Sequence, residues 1–354
     1  MSSGVSGYAA INARVRSMSS SLLSPQDFVK LSEAPDFSSL IGQLKQTAYA
    51  PYIEGLKEKD LTPRKVNAHI QGRLAASYNS VVSIAPVDAR PLLKQMYRHF
   101  EAQNLKALLR GVVMGSSWDQ VRDVLFPMEG MTALPAQAMI EAGSVAAAVE
   151  LLQGTVYYET LSFAMKRYSS EQSLFPLEVA LDLAYWRQLW SEANRMQGAN
   201  REQALRIIGA LMDMNNLMWV IRYRVYYKLS EEEIINYTLP FGYRVHDEDV
   251  RAIAAGADFA SVVHRIYPDI TDAATLLEDP RKGLPQLEMR LKRNVMKQCR
   301  TAFSGSPFHI GIPLAFLILS DLEIQDLTVL IEAKSTQMAE ADFKPYLLKA
   351  AVAV

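Results

Sequence analysis

Glu101-Ala-Gln-Asn104-Leu105-Lys-Ala-Leu108-Leu109-Arg110 is the stretch from which the fold can be read, because the chain writes it three times. Asp213-Met-Asn-Asn216-Leu217-Met-Trp-Val220-Ile221-Arg222 and Glu323-Ile-Gln-Asp326-Leu327-Thr-Val-Leu330-Ile331-Glu332 keep its order: acid, two residues, amide or acid, Leu, two residues, two aliphatics, then a charge. Asn104 and Asn216 lie 112 residues apart, and Asn216 and Asp326 lie 110 apart. A near-constant period of this kind marks a repeated unit, which has to be recognised before a fold is assigned.

Other markers recur in the same sequence order. Leu44-Lys-Gln-Thr47-Ala-Tyr49 is echoed by Leu152-Gln-Gly-Thr155-Val-Tyr157, and no convincing third copy of this motif is visible. Glu178-Val-Ala-Leu181 after Pro176 matches Glu288-Met-Arg-Leu291 after Pro285, and more faintly Asn67-Ala-His-Ile70 after Pro63. Ser117-Trp-Asp-Gln120 and Ser230-Glu-Glu-Glu233 fit capping boxes, in which the Ser oxygen takes the N3 amide and the acid or amide reaches back. Each then runs to a Pro and a Gly, Pro127 with Gly130 and Pro240 with Gly242, as at a helix stop. Ser24-Pro25 and Thr62-Pro63 place a capping oxygen before a first-turn proline.

Apolar residues recur at three and four, as in Leu284, Leu287, Leu291 and Val295, and strict alternation is scarce. The expectation is an all-α protein of three helical-bundle domains, 1–130, 131–243 and 244–354. Its boundaries fall at Pro127–Pro135 and Pro240–Asp247, and the charged segment Asp279–Gly283 is expected to interrupt the third unit. A length of 354 residues suits two or three domains.

The 37 basic and 38 acidic residues nearly cancel, so no global field draws the chain to nucleic acid or acidic lipid. One cysteine, Cys299, excludes an internal disulfide and any cysteine-based metal cluster, which suits a reducing compartment. The N-terminus has neither basic start nor apolar core, so no signal peptide is expected. The longest apolar run, Ile310–Leu319, is interrupted by Pro313 and follows Ser304-Gly-Ser-Pro307, which predicts a buried core helix rather than a span.

The polar positions of the triplicated stretch stand at i and i+3 beside Leu residues that belong to the core. Asn is a poor helix-interior residue, so Asn104 and Asn216, with Asp326 in their place in the third copy, predict buried side chains bonded to a neighbouring helix or loop. Glu101, Asp213 and Glu323 accompany them, and Arg110 and Arg222 are placed to pair with a carboxylate such as Glu178 or Asp182. Recurrence in every unit makes packing the favoured reading over a ligand site.

Catalytic constellations are thin. His69, His99, His246, His264 and His309 are scattered, with no pair at the i, i+4 spacing of a helical metal site. No phosphate-cradling glycine loop, dinucleotide fingerprint or nucleophile elbow occurs, and no cofactor or metal is expected. Cations beside Cys299 could lower its pKa, although a packed helix thiol is the simpler reading. One local patch stands out: Arg290, Arg293, Lys297 and Arg300 line one face of a helix whose other face is Leu287, Leu291 and Val295. It reads as a solvated face or as a docking stripe for an acidic partner.

Together the triplicated stretch, Leu-x-x-Thr-x-Tyr, Pro-x-Glu-x-x-Leu and the closing Pro307-Phe308-His-Ile310-Gly311 with Leu322–Leu327 resemble the C subunit of prokaryotic V-type/A-type rotary ATPases, which is equivalent to the d subunit of the eukaryotic V-ATPase. The likeness runs from Tyr8 to about Leu347, and departs from the family where Asp326 replaces Asn and Glu332 replaces Arg. It implies a funnel of three similar domains about a pseudo-threefold axis, with no active site and no bound nucleotide. The implied place is the cytoplasmic face of the membrane, between the central-shaft subunits and the membrane proteolipid ring. The implied role is to pass torque for ATP-driven ion transport or ATP synthesis. A helical-repeat scaffold for another cytoplasmic partner is the alternative; it would form an open solenoid rather than a closed set. An all-α enzyme would need converging titratable groups in one pocket, and the sequence nominates none.

Overall fold

The computed structural model describes residues 5–57, 60–128 and 134–349, and among these the regular structure is helical, with no strand. Glu129 and Gly130, part of the expected first boundary, lie outside the described residues. After α1 (Val5–Ser19) the elements come in a recurring order. The first set is α2 (Pro25–Ser32), α3 (Phe37–Leu44), α4 (Ala50–Ile53), α5 (Pro63–Ile84), α6 (Arg90–Val113) and α7 (Trp118–Val121). The second is α8 (Ala136–Glu141), α9 (Val145–Glu150), α10 (Tyr158–Glu171), α11 (Phe175–Arg195), α12 (Gly198–Arg222) and α13 (Glu231–Asn236). The third is α14 (Asp247–Ala254), α15 (Phe259–Ile266), α16 (Ala273–Leu277), α17 (Pro280–Thr301), α18 (Gly311–Ser335) and α19 (Glu340–Phe343). Each set is three shorter helices, two long ones and a short closing helix.

Local chemistry repeats with the elements. The second helix of each set is capped by a side chain that takes the amide three residues on: Asp36 from Ser39, Ser144 from Ala147 and Asp258 from Ser261. Capping boxes at Ser117 and Ser230 start α7 and α13, and Ala339 at the corresponding place has no side-chain oxygen to offer. The second long helix of each set is followed by a left-handed residue: Gly115 at φ 62°, Lys228 at φ 54° and Gln337 at φ 54°. Glycine is free of strain there, whereas Lys228 and Gln337 hold a conformation that side chains disfavour.

The chain divides into two compact units, one of Met1–Ala34, Pro86–Ala89 and Trp190–Val354, the other of Pro35–Ala85 and Arg90–Leu189. In the second of these, Leu105, Leu108 and Leu109 of α6 pack with Met139, Val149, Leu152, Leu161 and Leu177 from α8 through α11. Beside them Phe126 stacks on Phe100 at 4.0 Å between ring centroids, with Tyr97 and Tyr78 edge-on around Phe100. In the other unit α12, α17 and α18 pack on one another and α1 packs on α18. The apolar run Ile310–Leu319 is buried in this core. Among the described residues one helix, Gly198–Tyr227, is long and apolar enough to cross a membrane by length and composition, and 67% of its most apolar window is buried inside the protein.

One expectation is corrected. Asp279–Gly283 does not interrupt the third unit but begins α17: the Asp279 side chain accepts the Arg281 amide, and Pro280 sits in the first turn, where a missing N–H costs nothing. Gly283 is buried against α16, where a Cβ would stand 1.6 Å from the Leu276 carbonyl oxygen.

Candidate functional site

The triplicated stretch lies on α6, α12 and α18, and its polar side chains reach the same kind of target in each. Asn104 donates from Nδ2 to the Phe126 carbonyl (2.9 Å) and accepts the Phe126 amide at Oδ1 (2.8 Å). Asn216 makes the same two bonds to Leu239, at 2.9 and 3.0 Å. Both targets lie downstream of their asparagine, by 22 and 23 residues respectively. A primary amide carries donor N–H groups beside an acceptor oxygen, so one of each can meet the C=O and N–H of a single peptide. Asp326 has no donor when ionised and takes two amides instead, Leu348 at Oδ1 and Lys349 at Oδ2, both at 2.9 Å. The departure from Asn therefore keeps the clasp and changes its partners. Burial pushes the Asp326 carboxyl up to about 6, against the lowering effect of those amides.

The acids three residues earlier are also buried. Asp213 accepts the backbone amides of Tyr243 (2.8 Å), Arg244 (2.8 Å) and Val245 (3.1 Å) and the hydroxyl of Tyr267 (3.3 Å). Gly242 stands against it so closely that a Cβ would lie 2.3 Å from Asp213 Oδ1. Glu101 accepts the hydroxyl of Tyr157, and Glu323 takes the Leu23 amide (2.8 Å) and pairs with Lys349. Desolvation raises the pKa of both Glu101 and Asp213, opposed by those hydrogen bonds. Tyr157 belongs to the Leu-x-x-Thr-x-Tyr motif. There Thr155 donates to the Leu152 carbonyl (2.7 Å) and accepts the Tyr157 amide (3.3 Å), as Thr47 does between Leu44 and Tyr49. The third set has no such threonine turn, but Tyr267 stands toward Asp213 as Tyr157 does toward Glu101. The signal that could have found it is its spacing of 110 residues from Tyr157.

Arg110 forks onto Glu178 through Nε (2.6 Å) and Nη2 (2.9 Å), and Arg222 meets Glu288 at 2.6 Å. Asp182 is taken by Lys106 at 2.7 Å. These pairs tie α6 to α11 and α12 to α17.

The basic stripe divides. Arg290 is committed to Asp272, the N-cap residue of α16 (2.7 Å), whereas Arg293, Lys297 and Arg300 line a shallow groove of about 380 Å³ with Thr301 and Ser304. Among the described residues none of these three is in an ion pair, and Arg293 Nε is buried without a hydrogen bond. Burial and the neighbouring Arg290 hold the Arg293 pKa below the guanidinium range. Cys299 is buried, and desolvation pushes its thiol up to about 12. His99, between Phe100 and Tyr185, is pushed down to about 4 by burial. Among the described residues no three His, Cys, Asp or Glu side chains stand together as a metal site.

The arrangement is mechanical in kind: buried polar groups fix loops to long helices, and the carboxylates face backbone amides, hydroxyls and cations within the fold. Comparison with known proteins agrees with this pattern. The model of the ATP synthase (C/AC39) subunit family matches residues 11–346.

The chain belongs to that family.

A C/AC39 subunit is a structural and non-catalytic part of a rotary ATP synthase. Its relatives include the C subunit of the A-type ATP synthase of Methanocaldococcus jannaschii, 23% identical over 345 residues covering 96% of this chain and 86% of the relative. The C subunit from Methanothermobacter thermautotrophicus is 24% identical over 334 residues, covering 92% and 84%. That from Archaeoglobus fulgidus is 25% identical over 324 residues, covering 91% of each chain.

Proposed function

We propose that this C/AC39 subunit is the rotor socket of a V-type/A-type ATPase, joining the central-shaft subunits to the membrane proteolipid ring and carrying torque between them. The observation that carries the reading is the match along residues 11–346 to a family whose relatives are A-type ATP synthase C subunits. The recurring order of helices and clasps supports a body of three similar domains, 1–130, 131–243 and 244–354, set about a pseudo-threefold axis as a funnel. A coupler needs a stiff body and two interfaces, and buried polar clasps supply stiffness by leaving backbone groups no alternative partner. It works peripherally on the inner, cytoplasmic face of the membrane, with no span of its own and no nucleic acid. Arg293, Lys297 and Arg300 are the candidate docking residues, since Arg290 is already engaged by Asp272.

The test is affinity capture of the tagged protein from detergent-solubilised native membranes, with mass spectrometry of what is retained. Shaft and ring subunits in constant proportion support the socket. Their absence, with another cytoplasmic protein retained instead, overturns it in favour of the scaffold.

A further inference from the structure

We propose that residues 20–34 complete the third set of helices, held there by a buried latch of Leu23, Glu323 and Lys349, so that this segment and residues 340–349 open and close together. Two of the buried acids receive equivalent parts of the chain. Asp213 gathers the amides of Tyr243, Arg244 and Val245, the residues that lead into α14, whose N-cap is His246 in a capping box with Asp249. Glu323 takes the amide of Leu23, which leads into α2, whose N-cap is Ser24 in a capping box with Asp27. Val245 and Leu23 therefore hold the same place relative to their helix. In both boxes the acid returns to the cap amide at 2.8 Å. The acid of the second set thus holds the first helix of the third, and the acid of the third holds the first helix of the first.

Lys349 makes this closure differ from the other. Its backbone amide belongs to the Asp326 clasp, while its Nζ donates to the Leu23 carbonyl (3.1 Å), pairs with Glu323 and lies over the Phe28 ring at 5.4 Å. Glu323 is 0% and Lys349 5% exposed. A buried ion pair adds little stability over an apolar pair, but removing one partner strands the other charge without water, so it penalises any misfitted or half-open state. The N-terminal segment is anchored further at Asn12, which donates to the Pro307 and His309 carbonyls, and at Arg16, which donates to the Phe303 carbonyl at 3.0 Å. Neither α2 nor residues 344–349 can leave without exposing Lys349, Glu323 and Phe28 at once. The latch is a two-state device, and it stands whether or not the rotor reading does.

The experiment is hydrogen exchange of the intact protein, followed by mass spectrometry across a series of sub-denaturing urea concentrations. Amides of residues 22–33 and 340–349 are expected to follow a single opening isotherm. In Lys349→Met both segments should exchange at least about ten-fold faster, with α6 unchanged. Glu323→Gln combined with Lys349→Met should exchange more slowly than the single variants predict additively, because neither charge is then stranded. Two separate isotherms in the unaltered protein would overturn the latch, and that measurement decides the matter if the variants fail to fold. Faster exchange confined to residues 340–349 in Lys349→Met would overturn it equally.

Discussion

Replacing Asn216 by alanine removes a donor and an acceptor that face a single buried peptide. The side chain is 1% exposed, its bonds to Leu239 are 2.9 and 3.0 Å long, and Leu239 is itself buried. The variant leaves the Leu239 N–H and C=O without partners, each costing about 1–3 kcal/mol where water cannot enter, so the expected loss is on the order of 2–6 kcal/mol. For a cooperative unit of this size that lowers Tm by roughly 5–15 °C. Urea and thermal denaturation would measure it, with exchange of the Leu239 amide as the local readout. Asn104→Ala should cost a similar amount, since its bonds to Phe126 have the same geometry. Asn216→Asp sharpens the test. At pH 7.5 an ionised oxygen would oppose the Leu239 carbonyl and the loss should exceed that of alanine, whereas a protonated carboxyl can again donate and accept, so stability should recover on acidification. A loss below about 0.5 kcal/mol in Asn216→Ala, or an unchanged Leu239 exchange rate, would refute the clasp as a structural element.

Three further outcomes follow from the same geometry. Gly242→Ala drives a Cβ to 2.3 Å from Asp213 Oδ1 and 2.6 Å from the Val245 carbonyl, and should cost about 1–3 kcal/mol in urea denaturation; a neutral effect would show that this loop yields. Asp326, with its carboxyl raised to about 6, binds protons more tightly folded than unfolded, so its contribution to stability is present near pH 4 and is lost as pH rises through about 6. Asp326→Asn should therefore gain on the unaltered protein by on the order of 2–3 kcal/mol between pH 4 and 7.5, and an equal difference at both pH values would remove Asp326 as the source. Arg110→Ala and Arg222→Ala break pairs whose arginines are 58% and 42% exposed, so each should cost less than about 1 kcal/mol by thermal denaturation, and a loss of several would mean that the forks hold the long helices together.

Much of this fold is written locally. Ser24, Thr62, Ser117 and Ser230 announce helix starts because a capping oxygen bonds amides two or three residues away, a range within which sequence order fixes geometry. The exception is Asp279–Gly283, where proline and charge read as a break although they begin a helix, because the same residues serve both purposes. The partners of the clasps were illegible for a definite reason. Phe126, Leu239 and Leu348 contribute backbone groups, so any residue type would serve and no side-chain pattern marks them. Arg290 likewise looked like its neighbours on the helix face until α16 brought Asp272 beside it.

The sequence by itself determined that the chain is helical, that one polar motif recurs at a spacing of 112 and then 110 residues, and that its asparagines are buried amides beside leucine. Those are consequences of periodicity and of the cost of placing an amide inside a helix. Tertiary structure alone decided what each buried group grips. It gave Asn104 and Asn216 one peptide each and Asp326 two, and it sent Glu323 to Leu23 across almost the whole length of the chain. Hydrogen bonds to backbone carry no signature in side-chain order, and contacts between residues 300 apart are set by packing rather than by neighbours in sequence.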